Sequence, residues 1–143
     1  MGQTKHILLA TDLTDRSERA LERATQLCRD GRAERFTLLH IVAAGLPPIL
    51  THQQLTGAEA FLAGKLAELA SLGVQTPARS IVRTGDPFPA IIGEGIAVKA
   101  DLILIGAPGK APYAETIVGT TAERVIRFGE CPVLLVNRPP HGR

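Results

Sequence analysis

DLILIGAPGKAPYAETIVGTTAERVIRFGECPVLLV, from Asp101 to Val136, is the stretch that decides the fold. It opens with a short apolar run of the length and β-branched content of a buried strand, and Gly106 and Gly109 then break that pattern. Thr120 and Glu123 have the spacing of a capping box in front of a helical apolar pattern. The stretch therefore predicts a strand, a glycine loop, a helix and a final strand.

The glycine loop and the helix start after it favour two interpretations equally. Glycines let backbone N–H groups approach an anion closely, and a helix start adds unpaired N–H donors and the positive end of the helix dipole. Glycines at strand ends and threonines at helix starts are also ordinary turn residues. The loop matches neither GxxxxGK[ST] nor GxGxxG, so these residue types alone leave a phosphate site and a plain turn as alternatives.

The chain before this stretch alternates between strand and helix patterns. Apolar runs predict strands at 5–11, 36–42 and 78–84, and the third of these alternates with period two, which is typical of an edge strand. Helical spacing follows each strand, starting near Asp15, Thr51 and Pro87, with Gly93 and Gly95 interrupting the third helix. Such β-α alternation predicts an α/β fold with a parallel sheet covered by helices on both faces.

Composition limits the classes of function. With 143 residues, 45% of them hydrophobic and 21% charged, the chain is expected to form one domain over 1–143, with a disordered tail at 138–143. No apolar run approaches the roughly 20 residues of a membrane helix, and the amino terminus lacks a signal-peptide pattern, so we expect a cytoplasmic protein without membrane contact. A net charge of +2 without a basic stripe, 3% aromatic residues and no Trp make nucleic acid a poor candidate partner.

The spacing of Gly106, Gly109, Gly119 and Thr120 resembles the nucleotide-binding signature of the universal stress protein family, in its ATP-binding branch. The likeness continues through ILLATD near the start and CPVLLV near the end, so it covers nearly the whole chain. It implies a single doubly wound five-stranded parallel sheet in the order 3-2-1-4-5, with helices on both faces. Strands one and four then lie side by side where the strand order reverses, which is where such sheets bind ligands.

The resemblance also assigns residues to an adenine-nucleotide site. In the family the aspartate at the position of Asp12 faces the nucleoside and can lie near the metal, so the resemblance makes Asp12 a candidate Mg²⁺ ligand. The positions of Thr11, Ile41 and Val42 line the adenine pocket, largely through backbone groups. The phosphate-contacting positions correspond to Gly106, Gly109, Gly119 and Thr120, with Thr121 and Lys110 beside them.

Each assignment has a structural alternative. Asp12 is also suited to capping the turn that follows it, Ile41 and Val42 to the core, and Lys110 to a solvated loop. His40, a lone histidine in an apolar strand, is interpreted as a structural residue.

These observations favour a universal stress protein that binds ATP, or ADP or AMP, with Mg²⁺ and acts as a stress-response sensor or regulator. No paired-carboxylate or Ser/His/Asp constellation stands out, so no catalytic residue is assigned, although slow ATP hydrolysis is compatible with this interpretation. The family resemblance further implies a homodimer through the last strand, Val133 to Asn137. The alternative is a dimeric stress or chaperone-like interaction protein that binds no nucleotide, which is favoured by Pro108, Pro112 and Glu115 in the loop.

Overall fold

The structure is a computed structural model, and it describes residues 6–14, 17–106 and 133–136. Strands and helices alternate along these residues, as the sequence patterns predict. They are β1 (His6–Ala10), α1 (Glu18–Arg29), β2 (Arg35–Ala43), α2 (Pro48–Ser71), β3 (Ala78–Gly85), α3 (Pro87–Ala97), β4 (Leu102–Gly106) and β5 (Val133–Val136). The predicted helix between β4 and β5 and the predicted disordered tail lie outside the described residues.

The strands form a parallel sheet in which β1 lies between β2 and β4, and β3 lies at the edge beyond β2. This confirms the predicted α/β class with a parallel sheet, and the strand order 3-2-1-4 within it. The backbone of β5 pairs in parallel with the other side of β4, with Val133 opposite Ile103. The strand order reverses between β1 and β4, which leaves a crevice at their carboxyl ends.

Helices cover both faces of the sheet because the central strands are apolar on both faces. In β1, Ile7, Leu8 and Leu9 are all fully buried. The first core packs α1 and α2 on one face of the sheet, and its largest members are Ile7, Leu9, Leu27, Phe36, Leu38, Leu62, Leu69 and Leu104. The second core packs α3 on the other face and consists of Leu8, Leu39, Ile91, Val98, Ile103 and Ile105.

Two helices differ from the sequence prediction at their boundaries. Helix α2 begins at Pro48, before the predicted start near Thr51, because proline is suited to the first helical turn, where no N–H is needed. Helix α3 continues through Gly93 and Gly95 to Ala97. A Cβ atom at Gly95 would lie 3.1 Å from Cδ1 of Ile103, so this glycine allows α3 to pack closely on β4.

The edge position of β3 agrees with its alternating sequence, since none of its residues is fully buried. Cys28 is a buried free thiol in α1. Among the helices of the described residues, none combines the length and apolar character of a membrane-spanning segment.

Candidate functional site

The crevice at the carboxyl ends of β1 and β4 contains the first of the predicted site residues. The register pairs Ala10 with Ile105, so the next residues along the two strands are Thr11 and Gly106. Asp12 then follows at the sheet edge with an exposed side chain. The fold therefore brings Thr11, Asp12 and the end of β4 together at the point where α/β sheets bind ligands.

The carboxylate of Asp12 organises the loop between β1 and α1. Its Oδ1 accepts hydrogen bonds from the backbone N–H of Thr14 at 2.9 Å and from the Thr14 hydroxyl. The buried Ser17 hydroxyl also donates to Oδ1 at 2.8 Å and accepts from the Asp12 backbone N–H at 3.0 Å. This is the turn-capping role that the sequence left open for Asp12, and the exposure of the side chain keeps the carboxylate accessible to a ligand.

Leu13 adopts a left-handed backbone conformation, with φ of 67°, between Asp12 and Thr14. This region is unfavourable for a branched side chain and costs on the order of 1–3 kcal/mol. The Leu13 N–H donates to Oγ1 of Thr11 at 3.0 Å, and the Leu13 side chain packs against the first core. The loop is thus held in a defined, strained shape directly after β1.

Thr11 is fixed to β2 through both of its backbone polar groups. Its N–H donates to the carbonyl of Leu39 at 2.8 Å, and its carbonyl accepts from Nδ1 of His40 at 2.8 Å. The Thr11 carbonyl oxygen has a second lone pair with which it can accept a hydrogen bond from a ligand. The Thr11 N–H has a single hydrogen, which it already donates to Leu39. His40 is structural, as expected, and the structure shows which group it positions.

Ile41 and Val42, the other two predicted adenine-pocket residues, differ in burial. Val42 is only 1% exposed, so its side chain belongs to the core. Ile41 is half-buried and packs against the second core together with Ala10. Of the two side chains, Ile41 therefore retains surface near the end of β1.

The start of α1 is held next to Thr11 by an ion pair with α2. Glu18 and Lys65 approach to 3.0 Å, and this hydrogen bond raises the pKa of Lys65. Glu18 and Lys65 line a small cavity with Thr11 and Ser17, so the pair lies beside the β1–α1 loop. It fixes the helix from which Ser17 reaches Asp12.

The remaining predicted site residues are distributed differently. Gly106 ends β4 at the crevice, and its contact with phosphate stays a prediction. The other predicted phosphate-contacting residues lie outside the described residues, namely Gly109, Lys110, Gly119, Thr120 and Thr121. The described residues contain no group of three or more His, Cys, Asp or Glu side chains placed to hold a metal ion. Asp12 as a Mg²⁺ ligand therefore stays a prediction.

Sequence reasoning missed Ser17 and the role of His40. The sequence predicts a start of α1 near Asp15, whereas the first helical residue is Glu18 and Ser17 precedes it. The Ser17 hydroxyl donates to Asp12 instead of capping the helix. The only signal in the sequence is a hydroxyl residue placed five positions after an aspartate at a strand end.

Comparison with known proteins agrees with this geometry. Residues 3–137 match the model of the universal stress protein family. The chain is 30% identical over 145 residues to a universal stress protein of Methanocaldococcus jannaschii, covering 94% of this chain and 83% of the relative.

Two solved structures share the fold. One is a universal stress protein in complex with cAMP, with a TM-score of 0.69, 25% identity and coverage of 94% of this chain and 97% of that one. The other is an Arabidopsis thaliana protein of the universal stress protein family with AMP bound, with a TM-score of 0.63, 21% identity and coverage of 94% and 92%.

Proposed function

Because the chain belongs to the universal stress protein family, we propose that it binds an adenine nucleotide, ATP or its relatives ADP and AMP, at the carboxyl ends of β1 and β4. The observation that carries this proposal is the position of Asp12, which follows β1 beside the end of β4 and has an exposed side chain. The relative solved with cAMP supports an adenine nucleotide as the ligand class.

The described residues fit part of such a ligand. Asp12 supplies a carboxylate that accepts hydrogen bonds from an amino or hydroxyl group, and Thr11 supplies a carbonyl oxygen. Ile41 supplies apolar surface on the α3 face of the sheet. Mg²⁺ prefers oxygen ligands and commonly binds through one or two carboxylates together with substrate phosphates. Asp12 is therefore the residue that would hold the ion, and the ion would neutralise phosphate charge.

The proposed role is that of a cytoplasmic sensor or regulator in a stress response, and not of a dedicated catalyst. Nucleotide occupancy would change the surface that the protein presents, and a homodimer through Val133 to Asn137 would present it twice. Light scattering at micromolar concentration tests the dimer, and a monomer would contradict it.

Titration calorimetry of the nucleotide-stripped protein with Mg-ATP, AMP and cAMP tests the nucleotide proposal. We expect micromolar binding that Gly119→Val abolishes, because valine removes the close approach of backbone to phosphate that glycine permits. Gly57→Val is the matched control, since it places the same side chain on an exposed turn of α2 with no atom within 4 Å of its Cβ. Absence of binding at millimolar nucleotide would overturn the proposal and favour the interaction protein that binds no nucleotide.

A further inference from the structure

A cavity of about 260 Å³ lies at the amino-terminal edge of the sheet, opposite the crevice that contains Asp12. His6, Arg35, Thr37 and Arg79 are the polar residues that line it. Strands rise about 3.3 Å per residue, so His6 lies roughly 16 Å from Thr11 along β1. The cavity is therefore separate from the proposed nucleotide site.

The parallel register places these four residues on one face of the sheet. His6 is opposite Arg35 in the β1–β2 pair, and Thr37 is opposite Arg79 in the β2–β3 pair. Arg35 and Thr37 are two residues apart on β2, so their side chains leave the same face. Leu8 and Leu39 continue this face into the second core, which identifies it as the face covered by α3.

The floor of the cavity is polar and deeply buried. His6 is 3% exposed and Thr37 is fully buried, and Nε2 of His6 lies 2.7 Å from the Thr37 hydroxyl. Nδ1 of His6 is buried and forms no well-aligned hydrogen bond in the described part of the chain, although the Val98 backbone lies close enough to interact with the ring. A buried polar atom without a partner costs roughly 1–3 kcal/mol, so such an atom in a natural protein calls for an explanation.

The rim of the cavity is positively charged. Arg35 and Arg79 are exposed, and neither forms an ion pair with an acidic side chain of the described residues. Arg83, further along the same face of β3, does have such a partner, because its Nε lies 2.9 Å from Glu94. Among the described residues, Arg83 is therefore paired with a carboxylate, whereas Arg35 and Arg79 at the cavity are not.

The two arginines act electrostatically on the cavity floor. Burial lowers the pKa of His6, and the charges of Arg35 and Arg79 lower it further. The backbone of Val98 and the carboxylate of Asp101, which accepts a hydrogen bond from the His6 N–H, act in the opposite direction. The positive potential that disfavours a charged histidine here favours a bound anion.

We propose that this cavity is a second ligand site, which binds a small anion carrying a phosphate group through Arg35 and Arg79. Guanidinium groups present planar pairs of N–H donors that match phosphate oxygens, and the two arginines lie on neighbouring strands of one face. Ligand pockets for larger molecules occupy about 300–1,000 Å³. The volume here suits inorganic phosphate or a small phosphate monoester.

Residue-resolved NMR titration of the full ¹⁵N-labelled chain tests this site. Inorganic phosphate and glycerol phosphate are added in separate series, with sodium chloride holding the ionic strength constant. We expect saturable shifts at the amides of His6, Thr37 and Arg79, and the probe that binds more tightly identifies free phosphate or a phosphate monoester as the preferred form. Saturable shifts confined to Thr11 and Asp12 would place the anion at the other edge of the sheet and overturn the proposal.

Three single variants complete the test. Arg35→Gln and Arg79→Gln each remove one charged donor pair from an exposed position, and we expect each to weaken binding about tenfold or more. Arg23→Gln, on the exposed side of α1, makes the same change in net charge away from the cavity and is expected to leave the affinity within about twofold. Equal effects of all three variants would show a general charge effect and overturn the proposal, as would the absence of saturation in the wild-type protein.

Discussion

Ser17→Ala and Asp12→Ala remove opposite ends of the same hydrogen-bonded pair, and we expect them to differ in ligand binding but not in stability. Ser17→Ala deletes two hydrogen bonds, of 2.8 and 3.0 Å, from a side chain that is 5% exposed. A neutral hydrogen bond contributes about 0.5–1.5 kcal/mol and one to a charged group about 1.5–3 kcal/mol, but the exposed carboxylate of Asp12 regains water. We therefore expect Ser17→Ala to lower the free energy of unfolding by about 2 kcal/mol.

Asp12→Ala removes an oxygen that accepts hydrogen bonds from Ser17 and from the exposed Thr14 among the described residues. Water replaces much of this loss, so the expected cost is also about 1–2 kcal/mol. The variants separate in calorimetric titration with Mg-ATP. Asp12→Ala should weaken binding about tenfold or more, because in the proposed site it removes a charged group that would contact the ligand, whereas Ser17→Ala should change the affinity less than about threefold.

Chemical denaturation monitors stability in both variants, with Ser71→Ala as the control. Ser71 donates to the carbonyl of Glu68 from an exposed position, so its loss should change the free energy of unfolding by less than about 0.5 kcal/mol. Equal losses of nucleotide affinity in Ser17→Ala and Asp12→Ala would refute a direct role for Asp12 and leave it as a loop-organising residue. A cost for Ser17→Ala no larger than that for Ser71→Ala would refute the energetic reasoning.

Two further predictions concern stability. Burial is the main cause that lowers the pKa of His6 below 6.5, so the folded state favours the neutral ring. We therefore expect full stability above pH 6.5 and a loss of stability as the pH drops from 6.5 through the folded-state pKa. Denaturation at several pH values measures how the free energy of unfolding depends on pH. This dependence should be weaker in His6→Gln but retained in the control His52→Gln, whose side chain is exposed. An unchanged dependence in His6→Gln would contradict its assignment to His6. In α3, Gly93→Ala should raise the free energy of unfolding by about 0.5–1 kcal/mol, because its Cβ would meet nothing within 4 Å. Gly95→Ala should gain less or destabilise, because its Cβ would lie 3.1 Å from Ile103, and equal gains in thermal denaturation would contradict this account.

The fold class could be predicted because the pattern of apolar residues in each strand indicates which of its faces are buried. The uninterrupted apolar run in β1 predicts a strand that is buried on both faces, and Ile7, Leu8 and Leu9 are fully buried. The alternation in β3 predicts an edge strand, and β3 pairs only with β2 among the described strands. Periodicity reports on burial directly, so this part of the structure follows from local sequence.

Helix boundaries could be predicted less accurately from the sequence because several residues suit more than one role. Helical spacing predicted a start near Thr51, yet Pro48 begins α2, since proline disrupts a helix interior but not its first turn. Gly95 indicated an interruption of α3, but the absence of a side chain is what allows the helix to pack on Ile103. The choice depends on what lies opposite each residue, which local sequence does not contain.

For the candidate site, the position of Asp12 in the fold could be predicted from the sequence, but its contacts could not. Asp12 follows a buried strand and was identified from its position, whereas its bonds to Ser17 depend on the left-handed turn at Leu13. The contact of His40 with the Thr11 carbonyl joins two strands and exists only because the β1–β2 register sets Thr11 beside Leu39 and His40. A histidine that looks isolated in sequence therefore acquires its partner from the sheet.

The local concentration of positive charge also depends on strand register and could not be predicted from local sequence. In sequence, Arg35 and Arg79 belong to 16 basic residues dispersed among 14 acidic ones, and their distribution shows no basic stripe. The parallel pairing of β2 with β3 brings these two residues, far apart in the chain, to one face and one edge of the sheet beside His6 and Thr37. An evenly mixed sequence thus produces a local positive field through strand register, and a net charge of +2 does not exclude a specific anion site.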